Sequence, residues 1–321
     1  MSRPRLAVVG AGAFGRNHIR VLQALPAADL VAIYDSDAGR AAAASAEFGV
    51  TAVAELEALA GMVDAAIVAV PTIHHAAVGC ALLAMGIDVL VEKPIAPTLQ
   101  EADALIETAA QHGRLLQVGH LERFNPAITA LSERISIPLF FEIHRLSLFT
   151  PRALDVDVVL DLMIHDIDIL LALTGKMPEE VRAAGISILS DKVDIANVRL
   201  AFPGGCVANV TASRVYTERV RKMRLFQPHQ YISLDYHKQE AVAFRVSGER
   251  QIGYDPFRIQ KAEPLQLELS HFVDCVNLRR TPRVDGLEAR KALSVSLDIL
   301  ANIEVHAQTI ASTLAAYQPP L

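Results

Sequence analysis

A short aliphatic run, Leu6–Val9, leads directly into Gly10-Ala-Gly12-Ala-Phe-Gly15, and a helix-forming stretch, Phe14–Ala24, follows. Few folds accept three glycines at that spacing between a strand and a helix. Gly10 suits a tight turn, Gly12 lets backbone approach a ligand, and Gly15 lets the helix pack closely on the strand. The first N–H groups of such a helix stand without partners at the positive end of its dipole, where a pyrophosphate binds. Ala13 and Phe14, in the first helical turn, belong to the same expected set of cofactor contacts. Asp35 lies 20 residues beyond Gly15, at the end of the next apolar run, Leu30–Tyr34. Its carboxylate matches a ribose 2′-hydroxyl and repels a 2′-phosphate, so the expected cofactor is NAD rather than NADP. Two alternatives stay open: Asp35 as the cap of the following helix, and Arg40 as a partner for a 2′-phosphate.

The alternation continues. Ala65–Val70, Val89–Val91 and Leu115–Val118 read as buried strands, with Ala38–Glu47, His75–Met85 and Leu99–His112 as the helices among them. Strand and helix in strict succession imply right-handed crossovers and a parallel, doubly wound Rossmann sheet. After about residue 122 the pattern changes. Leu139–Phe149, Ile186–Leu189, Ile195–Phe202, Cys206–Arg214, Arg221–Tyr236 and Ala241–Val246 read as strands, with a hairpin turn at Pro203-Gly204-Gly205. Val158–Leu173, 265–279 and 287–314 read as helices. The expected fold is α/β. Residues 1–122 form the dinucleotide-binding domain, and 123–321 form an α+β domain with a large, mostly antiparallel, open-faced sheet. Such a face exposes apolar surface and favours a homodimer or homotetramer.

Composition removes several classes. With 52% hydrophobic residues the chain can offset its ordering entropy by burial, which excludes disorder. Thirty Lys+Arg against 36 Asp+Glu give a net charge of −6, without the basic footprint of a nucleic-acid binder. No apolar run reaches the roughly 18–20 residues that span a bilayer. Arg3 and Arg5 before an apolar segment imitate a signal peptide, but Gly10, Gly12 and Gly15 break that segment. Cys80, Cys206 and Cys275 are too scattered for a disulfide framework or a zinc ribbon, which points to reduced thiols and the cytoplasm.

Glu92-Lys93-Pro94 directly follows the Val89–Val91 strand, at the edge where open α/β sheets bind ligands. In the helix expected over 158–173, Asp161, His165 and Asp168 are spaced i, i+4 and i+7 and share one face of an otherwise apolar helix. A carboxylate beside an imidazole raises its basicity, and a histidine titrating near neutrality can take a hydroxyl proton. A lysine ammonium can stabilise the charge developing on the alcohol oxygen. The same residues also fit a buried structural Asp–His pair or, less well, a metal site; the absence of HExxH and CxxC speaks against metal. No tyrosine has lysine four residues later, which excludes the YxxxK arrangement of short-chain dehydrogenases.

Together Gly10–Gly15, Asp35, Pro71-Thr-Ile-His-His75, Gly86-Ile-Asp-Val-Leu-Val-Glu-Lys-Pro94 and Asp161-Leu-Met-Ile-His165-Asp-Ile-Asp168 resemble the Gfo/Idh/MocA family of NAD(P)-dependent sugar and cyclitol oxidoreductases. The resemblance implies Lys93 at the reacting hydroxyl, with Asp161 and His165 at the same carbon. It also implies Pro71, Thr72, His75, Glu92 and Lys93 at the cofactor, leaving His74 at the surface. Val118–Pro126, Ala212–Arg214, Arg224–Pro228 and Tyr231–Tyr236 are similar to the branch acting on UDP-N-acetylglucosamine. That likeness implies oxidation of its 3-hydroxyl to a ketone for amino-sugar (lipid A) biosynthesis. A cyclitol or free-sugar dehydrogenase, and a non-catalytic dinucleotide-binding regulator, are the alternatives. For an anionic substrate the candidate contacts are Arg123, Asn125 and Arg214; Asn125 equally suits the cap of a helix starting at Pro126.

Overall fold

The computed structural model describes residues 3–149, 156–189, 191–246 and 251–316. The chain divides into two compact units. One comprises Met1–Phe124 with Ala262–Leu293, and the other Asn125–Lys261 with Ser294–Leu321.

The first unit begins with β1 (Arg5–Val9), α1 (Ala13–Gln23), β2 (Asp29–Tyr34), α2 (Ala38–Phe48) and the short β3 (Thr51–Ala52). It continues with β4 (Ala65–Val68), α3 (His75–Ala84), β5 (Asp88–Glu92), α4 (Leu99–Gln111) and β6 (Leu116–Gly119). All six strands are parallel, in the order β3-β2-β1-β4-β5-β6. β4 and β5 are buried at every position. β4 is apolar throughout, and β5 keeps Val89–Val91 apolar between Asp88 and Glu92, because helices cover both faces of a parallel sheet. The chain leaves β1 for one side and β4 for the other, so the loops after these neighbouring strands part and open a crevice at their C-terminal ends.

The second unit holds α5 (Pro126–Ser132), β7 (Phe140–Leu148), α6 (Ile164–Thr174), β8 (Glu180–Ile186), β9 (Ile195–Ala201) and β10 (Val207–Tyr216). Next come β11 (Val220–Gln227), β12 (Gln230–Asp235), β13 (Glu240–Val246) and β14 (Ile252–Pro256). Their order is β14-β13-β12-β11-β7-β10-β9-β8, antiparallel throughout except for the parallel pair β7 and β10. Residues alternate along β9 and β11, with Val198, Leu200, Met223 and Leu225 buried. The opposite face carries a row of rings, Phe140, Phe226, Tyr231, Phe244 and Tyr254, with successive centroids 4.9–5.8 Å apart. Tyr254 is 68% exposed. The open apolar face expected from the sequence is therefore present.

Three local expectations are corrected. The stretch read as one strand, 221–236, is the hairpin β11–β12, turned by Pro228 and by His229 at φ 59°. The strand read at Ile186–Leu189 lies earlier, at β8, because Asp194 accepts the N–H groups of Ile188 and Leu189 at 2.6 Å and bends the chain there. The single helix expected over 158–173 opens with a π-helical turn, Val159–Met163, before α6.

The last two helices, α7 (Pro264–Leu278) and α8 (Gly286–Ala316), correct the expected division at residue 122. Leu269, Phe272, Val273 and Val276 recur at helical spacing on α7 and join the core built by Leu6, Val8, Ile19 and Leu22. Ala262–Leu293 thus belongs to the first unit. The return also covers the free edge of β6: the Val118 N–H donates to Val284 O at 2.9 Å, and Gln117 pairs with Asp285. Among the described residues no helix is long and apolar enough to cross a membrane.

Candidate active site

The glycine turn behaves as its spacing demands. Gly10 has φ +98° and donates its N–H to Tyr34 O at 2.7 Å; a Cβ there would stand 2.5 Å from Ala69 O. A Cβ on Gly15 would collide with Gly10 O. At Gly12 the space a Cβ would enter is open. Gly12 caps α1 with no side chain to accept the first N–H groups and no acidic residue in the first turn, so that end of α1 stays open to an anion. Ala13 begins α1, and Phe14 is exposed.

A cavity of about 450 Å³ adjoins this turn. Gly10, Gly12, Asp35, Arg40, Pro71 and His74 are among the residues lining it. Asp35 Oδ2 accepts the Ala11 N–H and Oδ1 the Asp37 N–H, both at 2.8 Å, and Arg40 Nη2 donates to Oδ1 at 2.9 Å. Burial alone would raise this carboxyl, but Arg40 and the two N–H groups outweigh it and hold it below the usual carboxylate range. The alternative role as helix cap is settled: Asp37, not Asp35, accepts the Arg40 N–H that starts α2. An anionic side chain at the end of β2, a bare helix N-terminus and an open Gly12 fit a dinucleotide with a free 2′-hydroxyl.

The remaining expected cofactor contacts follow β4 or lie at the end of β5. His75 is buried, with Nδ1 2.9 Å from Pro94 O and Nε2 3.0 Å from Val70 O. Its ring ties the loops after β4 and β5 together, while its neighbour His74, expected only at the surface, is exposed and lines the cavity. Desolvation is the main reason the His75 ring is pushed below the usual histidine value. Thr72 begins a 3₁₀ turn, Thr72–His74. Glu92 is buried, and its Oε1 lies 2.7 Å from Nε2 of the fully buried His18. Lys93 follows it, half-buried, at the C-terminal end of β5.

Two histidines escaped the sequence reading, His18 and His120. Burial, followed by the positive charges of Arg123 and Lys93, pushes the His120 ring down to about 3. His18 falls on the apolar stripe of α1 and His120 next to β6, so a sequence offers only burial as their signal.

In the second unit, Asp161 lies half-buried in the π-helical turn, and His165 and Asp168 are buried in α6. A π turn bonds i to i+5, so the simple i, i+4 reckoning does not carry across from Asp161 to His165. His165 is followed by Asp166, which Arg145 grips with Nε–Oδ2 at 2.6 Å and Nη2–Oδ1 at 2.9 Å, both side chains fully buried.

Two expected substrate contacts make bonds within the protein. Asn125 is buried; its Oδ1 accepts the Ala127 N–H at 3.0 Å, capping α5, and its Nδ2 donates to Tyr236 O at 3.1 Å. Arg214 is buried in an ion pair with Asp194 at 2.9 Å, and its Nη2 donates to Val156 O and Val193 O. These bonds hold Arg214 inside its own unit, because a buried guanidinium requires a counter-charge and acceptors. Arg123 is half-buried, at the end of the 3₁₀ turn after β6. No cluster of three or more potential metal ligands occurs among the described residues.

Comparison with known proteins gives one answer along the chain. Residues 4–120 match the Gfo/Idh/MocA oxidoreductase family, NAD-binding Rossmann fold, and residues 142–232 match the C-terminal domain of that family. The chain is 35% identical over 317 residues to UDP-N-acetylglucosamine 3-dehydrogenase of Acidithiobacillus ferrooxidans, spanning 96% of this chain and 100% of that one. The solved structure of that enzyme superposes with a TM-score of 0.90 over 95% of this chain and 99% of its own. The chain is also 28% identical to scyllo-inositol 2-dehydrogenase (NAD(+)) of Bacillus subtilis, across 91% of this chain and 92% of that protein. With a glycine turn and anionic Asp35 suited to NAD and both family domains matched, this chain belongs to the Gfo/Idh/MocA family of NAD-binding oxidoreductases.

Proposed function

We propose that this chain oxidises the 3-hydroxyl of UDP-N-acetylglucosamine to a ketone. The observation that carries the reading is 35% identity, over 96% of the chain, to an enzyme named for that reaction. NAD⁺, when bound, accepts the hydride. Gly10, Gly12, Ala13 and Phe14 hold its pyrophosphate end, Asp35 its ribose hydroxyls, and Pro71 and His74 the wall beside them. The Lys93 ammonium stabilises the negative charge that builds on the alcohol oxygen. His165 takes the hydroxyl proton as general base, with Asp161 orienting it. Arg123 supplies a cation for the anionic substrate. The balance is UDP-N-acetylglucosamine + NAD⁺ → the 3-keto sugar nucleotide + NADH + H⁺.

The inositol relative supports a second reading, oxidation of a cyclitol or free sugar. NADH formation measured at 340 nm with UDP-N-acetylglucosamine, UDP-N-acetylglucosaminuronic acid, myo-inositol and glucose separates the two. A kcat/KM highest for the first supports the main reading. Preference for inositol or glucose replaces it, and no turnover with any of them points to a binding regulator. We further place the enzyme in the cytoplasm, where scattered thiols stay reduced. The aromatic face of the eight-stranded sheet is read as the contact of a homodimer or homotetramer. A monomeric mass by light scattering removes that contact.

A further inference from the structure

We propose that His18 is a positioning residue for the Lys93 ammonium, acting through Glu92. The inference deepens the reading above and rests on its assignment of Lys93. His18 is fully buried on α1, and its Nε2 lies 2.7 Å from Glu92 Oε1. The other carboxylate oxygen, Oε2, accepts the N–H of Lys93 at 3.2 Å. One carboxylate therefore links a core histidine to the peptide from which the Lys93 side chain projects, and places a fixed negative charge beside it.

Two further features show that the pair is built for this. Gly119, on β6, leaves the space the carboxylate occupies: a Cβ there would stand 3.0 Å from Oε2 and 3.1 Å from the carboxyl carbon. His18 Nδ1 is buried with no hydrogen-bond partner among the described residues. An imidazole nitrogen left unmet in a dry core is a penalty that leucine at the same place would avoid. The arrangement is not needed to seat α1, since Ile19, Val21 and Leu22 already bury that helix in the core. What the polar ring adds is one bond, to Glu92.

Glu92 is faced by His18 from α1, by Lys93 after β5, by His75 from α3 and by His120 after β6. His18 meets the carboxylate directly, ring nitrogen to oxygen. Without the ring, the carboxylate loses the partner on its Oε1 side, and the Lys93 peptide that its Oε2 holds is no longer fixed.

The test measures Lys93 itself, by competitive acetylation with limiting acetic anhydride across pH, read by mass spectrometry on the full-length protein. Expected in His18→Leu and Glu92→Gln is a change of about tenfold in Lys93 reactivity at fixed pH, because the carboxylate no longer holds the lysine in place. His18→Gln, which keeps a donor for the carboxylate, stays near wild type. Gly119→Ala, which pushes the carboxylate without removing any charge, falls between. In the turnover assay kcat drops at least tenfold in His18→Leu while KM for NAD⁺ stays within about twofold. Unchanged Lys93 reactivity in folded His18→Leu overturns the proposal. If that variant does not fold, unchanged reactivity and kcat in Gly119→Ala overturn it instead. The labelling needs no substrate, so the two readings fail separately. Full turnover in Lys93→Ala sinks the assigned reaction, whereas an unaltered lysine in the His18 and Gly119 variants sinks only the positioning role.

Discussion

The two units put their buried charged groups to different uses. In the first, His18, Glu92 and Lys93 lie at or beside the C-terminal end of β5, and His120 follows β6, all where a parallel sheet presents its ligand edge. The buried polar bonds there end on loops: Glu92 on the Lys93 N–H, His75 on Val70 O and Pro94 O. In the second, the largest buried cations are closed in pairs, Arg145 with Asp166 and Arg214 with Asp194. Arg145 also lies over the Tyr236 ring at 5.4 Å. The lesson is that a residue's type does not say whether its charge is offered to a ligand or locked into the fold. The first unit keeps titratable groups at its ligand edge, and the second uses its guanidiniums to hold strands and helices in place.

Several measurements break or sharpen this contrast. The largest effect is expected at the proposed reacting groups: Lys93→Ala and His165→Ala each lower kcat by about 100-fold or more, with unfolding transitions close to wild type. Either variant retaining near-normal turnover would remove its residue from the reaction. Next comes the locked pair of the second unit. Arg145→Met leaves Asp166 charged and buried, which should destabilise by about 3–5 kcal/mol in denaturant titration. Adding Asp166→Leu should recover much of that loss, and an unstable double variant would mean the pair does more than balance charge.

The first unit should instead be acid-sensitive through His120. Its proton affinity is about 6.5 unfolded and about 3 folded, so its contribution to stability is complete above the first value and drains away as pH falls toward the second. Lowering the pH from 6.5 to about 5 should cost about 2 kcal/mol. His120→Gln should flatten that slope in unfolding measured across the same range.

Smaller still is Asp35→Ser. It should weaken the preference for NAD⁺ over NADP⁺ about tenfold by removing one anion and freeing Arg40, read from kcat/KM for both dinucleotides. The smallest effect separates a cap from a substrate contact. Asn125→Ala should cost about 1 kcal/mol of stability and leave KM for the sugar nucleotide unchanged. A large rise in KM would return Asn125 to the substrate.

The alternation of aliphatic runs with helices, the three glycines and Asp35 are all legible in the sequence, because each is a local rule. A parallel strand must be apolar on both faces, a tight turn needs glycine, and a ribose site needs an acid at the end of the next strand. Glu-Lys-Pro and the Asp161–His165 segment are legible as motifs. The hairpin inside 221–236 is not, since Pro228-His229 lacks the glycine that usually marks a two-residue turn. Nor is the π turn, because the apolar pattern of 158–173 suits an α-helix equally well.

The sequence by itself determined the doubly wound first unit, its glycine turn and the kinds of side chain available for chemistry, since all of these follow from neighbours in the chain. Only the tertiary structure decided which polar groups face each other. The internal partners of Asn125 and Arg214 are Tyr236 O, 111 residues away, and Asp194, 20 residues away, and no local rule announces them. The same holds for α7, whose stripe announced a buried helix but not the core it joins. Burial and pairing depend on contacts between distant segments, and the energy of a charge depends on what it meets there.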